Sequence, residues 1–136
     1  MMKFNKLINL ELTQSSGQTS QPPWSLNDEG EYQGLLILKE SPVLIKLSQN
    51  NFKSLNLDYE LPLNLDSSLF NKKSLEKEIY SEIVKIYNLD FDLDKFYKFL
   101  ITDSKLIDSI KFCNGLRLFL AKNPFECIIS SICSAN

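Results

Sequence analysis

Chemistry in a protein chain starts from side chains that can hold, attack or pass a proton, and here they are few. Histidine is absent from all 136 residues. That removes Ser-His-Asp triads, Cys-His dyads and most zinc sites at once. The cysteines Cys113, Cys127 and Cys133 make no Cys-x-x-Cys pair, and their odd count argues against a disulfide framework. They read as small buried hydrophobes in a reducing compartment. Asp90, Asp92 and Asp94 alternate just before a helical pattern. A calcium or magnesium loop needs more oxygen ligands and a turn glycine, so these acids are expected to face the positive end of a helix dipole. Gly17, Gly30, Gly34 and Gly115 build no Gly-x-Gly-x-x-Gly or phosphate loop, and Gly-x-Ser-x-Gly is absent. Trp24 follows two prolines. Its ring can stack on a base, but a packed aromatic closing a sheet edge is the expectation. Arg117, the single arginine, suits a phosphate or an ion pair at the surface or between domains. No metal, no cofactor and no catalytic residue is expected in this chain.

Composition sets the frame around these residues. Hydrophobic residues make up 43% and charged residues 24%, ordinary values for a soluble globular protein of one domain or slightly more. No apolar run approaches the ~18 residues of a membrane span, and no basic stretch leads into an apolar one as in a signal peptide. An intracellular protein without a membrane partner is expected, in the cytoplasm or nucleoid if prokaryotic. The formal net charge is −2. Residues 1–66 hold five lysines against eight acids, and residues 67–136 ten bases against nine acids. Neither half is the strongly basic face usual in nucleic-acid domains.

The elements that must carry these residues change period midway. Ile8, Leu10 and Leu12 alternate with Asn9 and Glu11, which predicts a strand with one buried face. Ser15 to Pro23 breaks the pattern as a loop or edge segment. A strand is predicted from Tyr32 to Lys39, a turn at Glu40-Ser41-Pro42 and a returning strand from Val43 to Ser48. Leu55, Leu57, Tyr59 and Leu61 alternate again before Pro62. Short connections make this sheet antiparallel. Leu75, Ile79, Ile83 and Ile86 then recur at helical spacing, with Ser74 as the expected N-cap. Further helices are predicted after Asp92, with Leu93, Phe96, Tyr97 and Leu100 on one face, and around Leu106, Ile107 and Ile110, with Gly115 as a C-terminal cap. Asn123-Pro124-Phe125-Glu126 combines an N-cap, a first-turn proline and a capping-box acid, so a helix should run from Pro124. That helix is still running at Asn136, which reads as truncation. From these residues alone the expectation is an intracellular α+β protein, an antiparallel sheet followed by helices.

Three segments carry a resemblance. Gly115-Leu116-Arg117, then Asn123-Pro124-Phe125-Glu126-Cys127, then Ile132-Cys133-Ser134-Ala135-Asn136 resemble the entry to the helical domain of 8-oxoguanine DNA glycosylases. That family reads there as Gly-hydrophobic-Arg, Asp-Pro-hydrophobic-Glu-Cys and Ile-Cys-Ser-x-Asn. Ser16-Gly17-Gln18-Thr19 resembles the family's Ser-Gly-Gln loop, and Tyr87 to Leu93 resembles its Tyr-Phe-x-Leu-Asp-x-Asp-Leu join. Order and spacing agree along the whole chain.

The resemblance implies a twisted antiparallel sheet like half of the TATA-box-binding protein, backed by helices, in residues 1–88. Residues 89–136 would be the first helices of an all-α glycosylase domain, cut before its helix-hairpin-helix. It implies a glycosylase with lyase activity that flips 8-oxoguanine out of the duplex and cuts its glycosidic bond in base-excision repair. The attacking lysine and assisting aspartate have no match here. By the resemblance, Gly17 supplies a main-chain carbonyl that accepts a hydrogen bond from the protonated N7 of 8-oxoguanine, a hydrogen that guanine lacks. Asn136 matches the asparagine that contacts the orphaned cytosine. The implied partners are duplex DNA bearing 8-oxoguanine and, if the hairpin half is separate, a second polypeptide carrying it. The chain departs from the family after Gln18. Thr19-Ser20-Gln21-Pro22-Pro23 stands where a Phe-Arg pair precedes the tryptophan, so Trp24 is displaced. The rival readings are a fragment of an alkylated-purine glycosylase and a non-catalytic remnant or partner-binding module.

Overall fold

Apolar side chains at every second position build one wall of the core. Leu36 and Leu38, then Val43, Ile45 and Leu47, then Leu55 and Leu57 are all buried, as the period of a strand requires when one face is covered. They lie on β3 (Tyr32–Leu38), β4 (Ser41–Asn51) and β5 (Ser54–Glu60). β1 (Met2–Phe4) pairs with β5, and β2 (Ser25–Leu26) pairs with β3. The computed structural model describes residues 1–18, 21–38, 41–62, 71–120 and 124–134. It shows five strands in the order β1-β5-β4-β3-β2, antiparallel at every pairing. Leu36 faces Val43 and Leu47 faces Leu57, apolar cross-strand pairs of the kind that stabilise a sheet. The α+β class read from the sequence is the observed one.

Helix α2 (Lys72–Ile86) supplies the opposite wall. Its Leu75, Ile79, Ile83 and Ile86 are buried in the same cluster as the inner face of the sheet. Phe4 stacks on Tyr80 of this helix, ring centroids 4.5 Å apart. The helix starts one turn before the predicted cap. Asn71 rather than Ser74 holds the free amides, its side chain accepting from the Lys73 and Ser74 N–H groups at 3.1 and 3.3 Å. Both residue types cap well, so the choice falls where the backbone leaves the extended region.

Two other expectations are corrected. Residues 8–12 are not a strand. α1 (Leu10–Gln14) is a short helix that buries Leu10, Thr13 and Gln14. Asn9 caps it, accepting from Leu12 N–H at 3.0 Å. The Gln49 amide brackets its start, accepting from Leu10 N–H at 2.8 Å and donating to the Ile8 carbonyl at 2.7 Å. Three alternating residues fit either period, and the capping bonds decide. Ser41 and Pro42, expected in a turn, belong to β4 opposite Leu38 and Ile37. The β4–β5 ladder begins only at Leu44 and Glu60, so proline at position 42 withholds no amide from it. Lys39 lies outside the described residues.

The remaining helices follow their signals. α3 (Leu93–Leu100) is capped by Asp92, which accepts from Lys95 N–H at 2.9 Å. A 3-10 turn at Ser104–Leu106 leads into α4 (Ile107–Phe112). α5 (Pro124–Ser134) occupies the predicted stretch, while Asn123, its expected cap, lies outside the described residues. The cysteines are not core residues. Cys113 and Cys127 are half-buried, Cys133 is exposed, and all are free.

After α4 the chain turns back to the sheet half. Leu120 N–H donates to the Ile86 carbonyl at 2.9 Å, and Phe119 is buried in the core. Gly115 makes that return. Its φ is +81°, and a Cβ there would lie 2.6 Å from the Asn9 nitrogen. Asn9 N–H donates to the Gly115 carbonyl at 2.7 Å, so the backbones touch. Gly115→Ala should therefore lower unfolding free energy by about 2–4 kcal/mol, the αL penalty plus displacement of α1. Gly30→Ala, at φ +77° with nothing within 4 Å of the new Cβ, should cost only about 1–2 kcal/mol. Urea denaturation of both variants checks the difference.

Candidate functional site

Arg117 is neither a phosphate holder nor half of a surface or interdomain ion pair. It is buried and donates to main-chain carbonyls. Nε reaches Leu7 at 2.8 Å, and Nη1 reaches Asn88 at 2.9 Å and Phe91 at 2.7 Å. Its own N–H donates to Thr13 Oγ1 at 3.1 Å. Among the described residues no carboxylate forms a salt bridge with it. Burial pushes the guanidinium below its ordinary range, opposed by Tyr97, Asp94 and Asp92. One side chain thus ties together the segment before α1, the end of α2 and the start of α3.

The Ser16-Gly17-Gln18 loop rests on this anchored segment. Gln18 Nε2 donates to the Arg117 carbonyl at 2.9 Å and to Ser16 Oγ at 2.8 Å. Gln18 Oε1 accepts from Phe119 N–H at 2.8 Å. A side-chain amide therefore stands where a neighbouring strand would, pairing with a carbonyl and an amide two residues apart. Below the loop, Gln14 Nε2 donates to the Tyr87 hydroxyl, and Gln21 Nε2 donates to the Gln14 carbonyl. Gln21 N–H donates to the Gln18 carbonyl at 3.0 Å. Tyr87 packs against Phe119 and Trp24, with ring centroids 5.1 and 5.9 Å away. Trp24 lies on Gly34, where a Cβ would come within 2.2 Å of the indole. Trp24 is therefore the packed aromatic expected, and its displacement in sequence is absorbed by Gly34.

Gly17 is held up on this base. Its φ is +67° and nothing lies within 4 Å of where a Cβ would be. The residue is exposed, and among the described residues its carbonyl accepts no hydrogen bond. A left-handed glycine with open space and an unengaged acceptor can receive a planar donor at close range. The structure thus places Gly17 beside the 117–119 segment. Asn136, the other sequence-predicted position, lies outside the described residues, so the two are not brought together here. Sequence reasoning passed over Gln18, Gln14 and Thr13, whose roles come only from contacts with residues about 70 to 105 positions away.

A second feature lies behind Arg117. An apolar cavity of about 310 Å³ opens between α3, α4 and residues 116–118. Phe91, Phe96, Tyr97, Ile110 and Cys113 are among its walls. Tyr97 closes one side, its hydroxyl donating to the Cys113 carbonyl at 2.8 Å and accepting from Gly115 N–H at 3.0 Å. Outside the cavity, Phe99, Phe112 and Ile128 are more than half exposed, as is Leu118 on its wall.

Comparison with known proteins agrees with this geometry. The model of the 8-oxoguanine DNA glycosylase N-terminal domain matches residues 1–128. A probable N-glycosylase/DNA lyase of Methanothermobacter thermautotrophicus is 40% identical over 130 residues, covering 95% of this chain and 37% of that protein. The chain thus spans little more than a third of the relative's length. Among solved structures, a 3-methyladenine DNA glycosylase from Archaeoglobus fulgidus matches 85% of this chain and 37% of its own at TM-score 0.61 and 15% identity. MBOgg1 in complex with a low-affinity DNA ligand matches 84% of this chain and 32% of its own at TM-score 0.55 and 21% identity. These two likenesses show a shared fold.

Two outcomes follow from the anchoring groups. Arg117→Met leaves carbonyls of Leu7, Asn88 and Phe91 without their donor and should cost about 3–5 kcal/mol in urea unfolding. Burial raises the Tyr87 and Tyr97 phenols above their ordinary range. The folded state then disfavours tyrosinate. This contribution to stability is complete below the unfolded value of about 10 and is lost as pH rises beyond it. The urea midpoint should fall above about pH 10, and less steeply in Tyr97→Phe.

Proposed function

The chain belongs to the 8-oxoguanine DNA glycosylase family, and from that premise we propose that it is the part of a DNA glycosylase and abasic-site lyase that helps recognise 8-oxoguanine in damaged DNA, within base-excision repair. The observation that carries this reading is the Gly17 carbonyl on an open, left-handed loop, which accepts no hydrogen bond among the described residues. 8-Oxoguanine carries a hydrogen at N7 and guanine carries a lone pair there. One fixed acceptor attracts the first and repels the second. Asn136 is proposed to contact the cytosine left behind, its amide offering both a donor and an acceptor. The attacking lysine and the assisting aspartate are assigned to polypeptide outside this chain, since no residue here matches them. In this reading residues 1–88 are the recognition half and residues 89–136 open the helical half, with 116–120 returning to brace the first. An intracellular setting, where DNA lies, goes with it. Among the described residues no helix is long and apolar enough to cross a membrane.

A second polypeptide bearing the helix-hairpin-helix is the proposed protein partner. The apolar cavity and exposed Phe99 and Phe112 favour it, because exposed apolar surface of this kind suits an interaction site. Excision of alkylated purines is the rival activity, and the Ser16-Gly17-Gln18 loop favours the oxidised base.

Mixing the chain with duplex containing 8-oxoguanine opposite cytosine tests the reading. No strand cleavage is expected from this chain alone, and cleavage would overturn the assignment of catalysis elsewhere. Affinity should exceed that for the matching guanine duplex by about two- to tenfold, the range of one hydrogen bond. Gly17→Ala should bring the two affinities together. Stronger binding to alkylated duplex than to the oxidised one would favour the rival.

A further inference from the structure

An acceptor discriminates between two bases only if it cannot swing away from the one that repels it. The Gly17 carbonyl belongs to a glycine, the residue with the most backbone freedom, and nothing lies within 4 Å of where a Cβ would be. Its stiffness must come from its neighbours. On one side Ser16 Oγ donates to the Thr13 carbonyl at 2.7 Å, tying the loop to the end of α1. On the other side stands Gln18, whose amide makes three bonds, with Arg117, Ser16 and Phe119. Arg117 is fixed in turn by carbonyls of Leu7, Asn88 and Phe91, and Phe119 is buried in the core. Among the described residues the loop's C-terminal flank is held by the Gln18 amide and by Gln21, which donates from its N–H to the Gln18 carbonyl and from Nε2 to the Gln14 carbonyl.

We propose that Gln18 is the positioning residue for base discrimination: its side-chain amide, paired with the Arg117 carbonyl and the Phe119 amide, holds the Gly17 carbonyl against the lesion's N7 hydrogen. This inference rests on the reading of Gly17 given above and adds to it the group that makes the acceptor selective. The amide is needed as a whole. The acceptor end meets a main-chain N–H and the donor end meets a main-chain carbonyl, so a carboxylate satisfies one contact and repels the other. A protonated carboxylic acid has both a donor and an acceptor in the same plane, so it replaces the amide.

The test compares the 136-residue chain with Gln18→Ala and Gln18→Glu, by fluorescence anisotropy on duplexes carrying 8-oxoguanine or guanine opposite cytosine. The readout is the ratio of the two affinities, with circular dichroism confirming the fold of each protein. Wild type should give a ratio of about two to ten. Gln18→Ala should give a ratio near one. Gln18→Glu should give a ratio near one at pH 7 and recover toward wild type at about pH 4.5, where its carboxyl takes a proton. A merely structural role for Gln18 predicts no such recovery of the ratio. If wild type discriminates and folded Gln18→Ala discriminates equally, the Gln18 proposal is overturned while the Gly17 reading stands. If Gln18→Ala does not fold, Gln18→Glu decides: a pH-independent ratio equal to wild type overturns the proposal. If wild type shows no preference, Gly17 is not the discriminating acceptor and this proposal falls with it.

Discussion

A guanidinium removed from water is the constraint on which the rest of this structure depends. Burying such a charge costs several kcal/mol unless hydrogen bonds replace its hydration. Arg117 meets that demand with main-chain carbonyls from Leu7, Asn88 and Phe91. Two connections far apart in sequence, the one before α1 and the one between α2 and α3, must therefore converge on one planar group. Asn88 adopts φ 47°, a left-handed conformation that asparagine tolerates better than most residues, and its carbonyl is one of the three. Lysine has a single point of donation and cannot bridge the same set, which is why the lone arginine of a lysine-rich chain stands here.

The loop above is built from the same kind of bond. Thr13, Gln14, Gln18 and Gln21 hold backbone or hydroxyl groups rather than one another's charges. Neutral amides suit this task. They bridge donors and acceptors at short range without the desolvation cost of an ion. A loop of this composition, read alone, looks like a polar linker. It is braced by the anchored segment it lies on, because the 117–119 backbone is held by bonds of its own beside those to Gln18.

That dependence explains what was legible beforehand. Strands β3, β4 and β5 and helix α2 were, because period-two and helical stripes of Leu and Ile report burial directly, whereas β1 and β2, three and two residues long, are too short to show a period. Asp92 was legible as an acid at a helix start, though not as the cap whose side chain accepts from Lys95 N–H. Residues 8–12 misled because three alternating positions do not separate a strand from a helix, and the deciding contacts come from Gln49. Arg117 misled because its partners are carbonyls, and carbonyls leave no trace in a sequence. Gly17 was singled out only through resemblance. Gln18 stood in the same motif, but its contacts with Arg117 and Phe119, 99 and 101 residues away, needed the fold.

Discrimination and affinity have different physical sources, and on the proposed reading this chain serves the first. Affinity for duplex DNA is dominated by phosphate neutralisation, which needs clustered lysine and arginine. The chain carries a net charge of −2, and its one arginine is spent on internal carbonyls. What it offers is a fixed, uncharged acceptor. A neutral hydrogen bond contributes about 0.5–1.5 kcal/mol, small beside the cost of flipping a base, a few kcal/mol. Such a contact sets a preference between bases and supplies little of the total affinity. On the proposed reading, the acceptor therefore belongs on the stiffest backbone available, and the phosphate-binding charges belong on the polypeptide that also carries the lysine.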